Sequence, residues 1–266
     1  MISIDGVHLE RDLGLHLLAE SEETIIPQVR QDSIEIPGRH GEIVFDSYLE
    51  SRRLFPTILI PSQATLTDVQ DILRRVSSLL LNEYGQPKDV KVIYDYEPDK
   101  FYLCRMNGYL SPDRIARTGK FLIPLYANDP MAFSLKKSDE ITWGSDMPIN
   151  SDIYWGSGVT NFTITSNQTV ILINSGSVAI KLSFLLEGKG NNVWIAANGK
   201  SFSLKNFSNA KFDVRGEDYS VFKNGVYDMQ AYSGEFIELM PGPNKVRITG
   251  SSMNLKFSES HHYKYV

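Results

Sequence analysis

The sequence changes its grammar at Asp129-Pro130, and that change leaves few folds open to the chain. Before this point, short apolar strands surround one stretch with a helical period. After it, no segment keeps that period, and strand-length pieces alternate with turn residues to residue 266. A single amphipathic helix can cover one sheet only. The later strands must therefore bury their faces against one another. The expectation is a mainly β protein: an α+β N-terminal domain with one long amphipathic helix on a β-sheet or barrel, then an antiparallel β-sandwich.

The helix is the clearest single element. Leu66, Val69, Ile72, Leu73, Val76, Leu79 and Leu80 recur at three- and four-residue spacings and so share one face. Thr65 and Asp68 form a capping box at its start. Gly85 and Pro87 supply a stop, which predicts a helix over residues 66–84. Around it, the alternation of Leu13, Leu15 and Leu17 predicts a strand, and residues 55–60 and 120–126 read as two more. Residues 90–94 and 101–106 read as a hairpin turning at Glu97-Pro98-Asp99-Lys100. In Ile36-Pro37-Gly38-Arg39-His40-Gly41-Glu42, Pro37 presets φ while Gly38 and Gly41 permit positive φ, so this is a tight turn between strands. Arg39 offers a planar fork of donors to a small anion there, although a turn-stabilising or interface arginine is the commoner role.

Beyond residue 160, strands recur at the spacing of a sandwich. Asn198-Gly199 and Asn224-Gly225 sit between apolar strands, and a type I′ turn needs positive φ at both such positions. The expected organisation is an N-terminal domain over 1–133, a linker over 134–158 and a sandwich over 159–266. The linker holds Pro148 and Gly156-Ser157-Gly158 together with Trp143, Tyr154 and Trp155, aromatics expected to pack against a domain or a neighbour.

Few residues suggest chemistry. The net charge of −5 argues against a dedicated nucleic-acid binder, because phosphate backbones call for a basic surface. Cys104 is the single cysteine, so neither an intramolecular disulfide nor a Cys-based zinc site can form, and it reads as a half-buried strand residue. His8, His16, His40, His261 and His262 show no metal-ligand spacing, and His261-His262 read as surface histidines of an end segment. Gly-x-Ser-x-Gly and phosphate-binding Gly-rich loops are absent, so no catalytic, metal or cofactor residue is assigned. Asp213, Glu217 and Asp218 contain the carboxylates a glycosidase would need, but a charged turn is the commoner reading and only their separation decides a mechanism. Trp194, near Asn191, Asn192 and Asn198, is a sugar-stacking candidate of a lectin-like adhesin, against the commoner reading of a core aromatic. Alternation puts Val193 and Ile195 on one face and Trp194 and Ala196 on the other. Residues Met1 to Gly6 lack the features of a signal peptide, and no apolar run approaches the roughly 20 residues of a membrane span.

The order of these motifs resembles the distal tail protein (Dit) family of siphophages. The early Pro37-Gly38-Arg39-x-Gly41 turn, the helix and hairpin that follow, and the closing Ala127-x-Asp129-Pro130 carry the likeness in the first half. In the second half, Pro241-Gly242-x-Asn244 looks like the hairpin of that family's galectin-like sandwich. The resemblance implies a non-enzymatic homohexameric ring at the tail tip, with Pro37, Gly38, Arg39, Gly41, Asp129 and Pro130 as assembly or turn positions. It implies a central passage for DNA. The implied partners are the major tail tube protein, a tail-associated lysin or hub protein, and receptor-binding or baseplate proteins. The implied location is the virion tail tip, after synthesis in the bacterial cytoplasm.

Overall fold

The computed structural model describes residues 1–115, 117–141, 151–153 and 161–266. The expected linker aromatics Trp143, Tyr154 and Trp155 lie outside the described residues. The fold is mainly β, and the chain divides into two compact units, Met1–Phe133 together with Val266, and Ser134–Tyr265.

The first unit is built on open sheets. One runs in the spatial order Val7–His8, Ile2–Ile4, Asp89–Tyr94, Glu97–Met106, Leu125–Ala127, Arg52–Phe55, Glu22–Glu23. A second runs Asp113–Ile115, Thr118–Leu122, Thr57–Ile60, His16–Leu17. The runs read as single strands at 55–60 and 120–126 are each split by a proline. Arg52–Phe55 lies in the first sheet and Thr57–Ile60 in the second, with Pro56 between them; Pro124 likewise divides Thr118–Leu122 from Leu125–Ala127. The two interrupted runs pair with each other on both sides of the break, Phe121 opposite Ile58 and Leu125 opposite Leu54. Proline cannot donate to a ladder, so the strand pair changes sheets where both ladders are broken.

The helix spans Leu66–Leu80 and buries Val69, Leu73, Val76 and Leu80. Its capping box is present: the Thr65 hydroxyl accepts from the Asp68 amide while Asp68 accepts from the Thr65 amide. Its end is four residues short of the expected one. Leu81 is already extended, and the Asn82 side chain accepts from the amides of Tyr84 and Gln86 at 3.0 and 2.9 Å. That local bond competes with another helical turn, so Gly85, at φ 74°, serves the following turn rather than the helix cap. Two further expectations shift. Leu9–Leu13 is a short helix closed by Gly14 at φ 66°, leaving only His16–Leu17 as strand. The hairpin after the helix turns at Asp95-Tyr96, with Glu97 already opposite Tyr94 and a bulge before Tyr102.

The second unit is dominated by two long strands, Phe184–Ala197 and Gly242–Glu259, which pair with each other. Their register shifts between Lys189 and Trp194, beside Gly188, Asn192 and Ser252 at positive φ. Bulges of this kind bend a sheet. On one side of the bend, Phe207–Arg215 and Ser220–Lys223 extend the sheet; on the other, Lys200–Leu204 and Gln168–Asn174 do. The two halves close over an aromatic core: Phe184, from the first, meets Phe202, from the second, edge-on at 5.7 Å. Gly188 lies where strands approach closely, because an added Cβ would come within 2.1 Å of the Asn254 carbonyl oxygen. Both Asn-Gly steps are type I′ turns, with φ of 50° and 79° at Asn198 and Gly199 and 52° and 81° at Asn224 and Gly225.

Candidate assembly site

The element least satisfied within the chain is the hairpin formed by Val29–Glu35 and Glu42–Leu49. Among the described residues it pairs only with itself. Every residue of its first strand is exposed, and only Ile43 and Leu49 of the second are half-buried. Val29, Leu49 and Val44 share one face by register, and Ile34, Ile43 and Tyr48 share the other. Phe45 is the extra residue of a bulge and is 70% exposed. Ile25 and Ile26, just before the hairpin, are exposed as well. Among the described residues, no other strand of the chain pairs with this two-stranded ribbon, which carries apolar side chains on both faces. Such a ribbon is marginal in water by itself.

The turn at its tip is built as its residues require. The Arg39 amide donates to the Ile36 carbonyl at 3.0 Å, which makes 36–39 a β-turn with Pro37 second and Gly38 third at φ 84°. A type II turn needs positive φ at that third position. Gly41, at φ 79°, returns the chain to the ladder at Glu42 opposite Glu35. Arg39 and His40 are exposed at the apex. At the other end of the unit, the Asp129 carboxylate accepts from the Met131 amide at 3.1 Å and turns the chain after the buried Ala127. Pro37, Gly38, Gly41 and Asp129 thus have turn roles that the geometry accounts for.

The root of the hairpin opens onto two depressions, of about 550 and 180 Å³, which share Ser51 and Tyr126. The smaller is lined by Glu22, Glu50 and Arg53 among others. Tyr126 stands edge-on to Phe55 at 5.2 Å.

The other sequence candidates are scattered. Trp194 is 49% exposed, on the face opposite the fully buried Val193 and Ile195, so the alternation is right and the core reading is not. Register places it between Ser203 and Thr249. Asp213 accepts two bonds from Arg215, at 3.0 and 2.9 Å, and this ion pair holds the guanidinium above its usual pKa. Asp218 accepts from the Ser220 amide and hydroxyl. With Glu217 these groups border a cleft of about 480 Å³, but two of the three carboxylates are already engaged. Cys104 is fully rather than half-buried, and burial pushes its thiol up to about 12. Among the described residues, no group of three His, Cys, Asp or Glu side chains could hold a metal ion, and no helix is long and apolar enough to cross a membrane.

Pro241-Gly242-x-Asn244 is a turn between sheets rather than a hairpin. Glu238–Leu239 pairs with Ile180–Lys181, whereas the strand from Gly242 pairs with Gln168–Asn174. Asn244 is buried and closes its own turn, accepting from the Met240 amide at 2.9 Å and donating to the carbonyls of Met240 and Gly242.

The expectation of surface histidines at the C-terminus fails for His261, which is 2% exposed with both ring nitrogens unpaired. Burial holds it down to about 3, and it is neutral near neutral pH. Glu259 is buried too, and desolvation, reinforced by Asp139, pushes its carboxyl up to about 8. The signal for both was available: they continue the phase of Met253, Leu255 and Phe257, all inward. The residues opposite them were read as linker. Ser134 and Ser138 are buried, and their hydroxyls accept from the Tyr263 and His261 amides. Arg52, in phase with the buried Leu54, was also missed. Its guanidinium donates to the Tyr102 hydroxyl at 3.0 Å and packs over that ring.

Residues 11–127 match the family described as the phage tail protein RIFT-related domain. No curated protein matches the sequence significantly. Among solved structures, the chain is similar to the Dit protein (gp 19.1) of phage SPP1, described as a paradigm of the hub adsorption apparatus in phages infecting Gram-positive hosts. The alignment covers 98% of both chains at 14% identity, with a TM-score of 0.66. Two structures of the phage P2 baseplate in its activated conformation, with Ca and with Sr, align over 95% of this chain and 92% of theirs at 8% identity. Their TM-scores of 0.40 and 0.43 are too low to bear on the fold. Residues 11–127 thus match the model of the phage tail RIFT-related domain, and the chain shares the fold of the SPP1 Dit protein. The resemblance to siphophage distal tail proteins is borne out in both respects.

Proposed function

We propose that this protein is a non-enzymatic structural part of a siphophage tail tip, assembled as a homohexameric ring. The ring joins the tail tube protein above to a tail-associated lysin or hub protein below, and DNA passes through its centre. A galectin-like sandwich domain over about residues 159–266 projects outward and offers a seat for receptor-binding or baseplate proteins. One observation carries this reading: the ribbon of residues 29–49 exposes apolar side chains on both faces and, among the described residues, pairs with no other strand. Copies arranged head to tail cover such a ribbon, and a head-to-tail contact closes into a ring when its rotation divides the circle. The acidic net charge suits a passage that DNA crosses without sticking. The test is solution mass by light scattering, with negative-stain images. Six copies of 30.1 kDa give about 180 kDa. A six-fold ring with a central hole is expected, and a species with another symmetry sinks the reading.

A second reading rests on Trp194. Its half-exposed ring, between Ser203 and Thr249, offers a stacking platform with hydroxyls beside it. A carbohydrate-binding role predicts glycan-array signals that Trp194→Ala removes. An array without signals ends it.

A further inference from the structure

The hairpin and the depression at its root carry matching chemistry at opposite ends of one element. The tip presents two basic side chains, Arg39 and His40, between two acidic ones, Glu35 and Glu42. The root presents the exposed carboxylates Glu22 and Glu50 beside the exposed guanidinium of Arg53. Among the described residues, no ion pair engages Arg39, Glu22, Glu50 or Arg53. The apolar parts correspond as well: Ile36 and Pro37 lead into the tip, and Tyr126 lines both root depressions, the smaller with Glu22, Glu50 and Arg53 and the larger with Met106. The Tyr126 ring is braced edge-on by Phe55, which gives the depression a firm wall.

We propose that the tip of one copy, residues 36–41, seats in the root depression of the next copy. Arg39 lies between Glu22 and Glu50, and Arg53 of the receiving copy faces the acidic flank of the tip. The occupant is a second copy of this chain, because the tip's Arg39, flanked by Glu35 and Glu42, carries the opposite signs to the root's Glu22, Glu50 and Arg53. Donor and receiver differ, so the contact is heterologous and each copy keeps one tip and one depression for its two neighbours. Glycine at 38 and 41 leaves the tip slender: an added Cβ at either would meet nothing within 4 Å, so these residues serve the backbone turn and keep the apex free for docking. This docking rests on the ring reading and names the surfaces that would close it.

The test uses the full chain. His40→Cys with Ser51→Cys places one thiol at the tip and one at the root, while the native Cys104 is fully buried and silent. Under mild oxidation, a non-reducing gel is expected to show a ladder rising to six copies, and each single variant should not. A ladder that stops at two overturns the head-to-tail arrangement. Charge reversal is the second readout. Arg39→Glu, and Glu22→Arg with Glu50→Arg, should each drop the assembly from about 180 kDa to about 30 kDa, and combining all three should restore it. All three positions are exposed, so unchanged thermal melting separates lost docking from lost folding. If wild type is a six-copy ring that the reversals leave intact, the docking is wrong and the ring stands. If wild type remains near 30 kDa at every concentration, both fall.

Discussion

The hairpin of residues 29–49 and the sandwich of the second unit are made of the same antiparallel ladder, yet they solve opposite problems. In the sandwich, every second residue of Gly242–Glu259 from Asn244 to Ile248, and again from Met253 to Glu259, is buried, and Phe184, Phe202 and Phe257 meet in one aromatic cluster. In the hairpin, neither face is buried and apolar residues fall on both. One ladder is completed within its own chain. The other is left uncovered by the described residues of its chain. A strand sequence that alternates describes a self-sufficient sheet, and one that does not alternate points to a partner.

That contrast can be broken in graded ways. The largest expected effect on stability is in the sandwich: Phe202→Ala removes a ring that meets Phe184, Tyr232 and Phe236, at 5.7, 4.8 and 5.8 Å. Denaturant unfolding should show a loss of about 3–5 kcal/mol. A loss below a third of that would mean the second unit relies on something other than this core.

Next comes Glu259, the carboxylate on the inward phase of the same sheet. Its folded pKa lies near 8 against an ordinary value of 4.5, so the folded state holds a proton that the unfolded chain has released. Stability from this group is fully present below pH 4.5, falls as pH rises toward 8, and is flat beyond. The slope is at most roughly 1.4 kcal/mol per pH unit. Glu259→Gln should remove that slope while leaving the fold intact. Identical pH profiles for variant and wild type would show that the carboxyl reaches solvent.

Smaller is the cost of Gly199→Ala in the Asn198-Gly199 turn, at φ 79° with nothing near an added Cβ. The strain alone should cost about 1–2 kcal/mol, read as a shift in the unfolding midpoint. Smallest on stability is Phe45→Ser in the hairpin, which should change the unfolding free energy of the dissociated chain by no more than about 0.5 kcal/mol. Its mark should appear instead in the solution mass, which falls as the exposed ribbon loses its apolar contact. A Phe45→Ser protein that unfolds much earlier than wild type as a monomer would erase the distinction between the two ladders.

Much of this was legible in the residues themselves. Thr65 and Asp68 started the helix where their side chains cap it, and both Asn-Gly steps turned as expected, because these features are decided within four residues. The Pro37-Gly38 turn is of the same kind. The helix end was not legible, since Gly85 is a good stop and Asn82 a better one, and their competition depends on where Leu81 finds a bridge, with Pro87. Nor were the corners at Pro56 and Pro124, which matter only because the two broken runs face each other across the ladder. In the candidate site, the turn residues could be named in advance, but the exposure of apolar side chains on both faces of the ribbon behind them could not.

The sequence by itself determined the β-rich plan, the single helix and the tight turns, all set by backbone dihedrals and side chains a few residues apart. Only the tertiary structure decided what each strand buries. Glu259 and His261 lie inside despite their polarity, because they continue the alternation of Leu255 and Phe257, Glu259 at the end of that strand and His261 just beyond it. Val44 and Phe45 lie outside although they are apolar, because among the described residues no other strand pairs with the hairpin. Burial is a property of pairs of segments far apart in sequence, and a side chain's own hydrophobicity cannot say whether its partner will arrive.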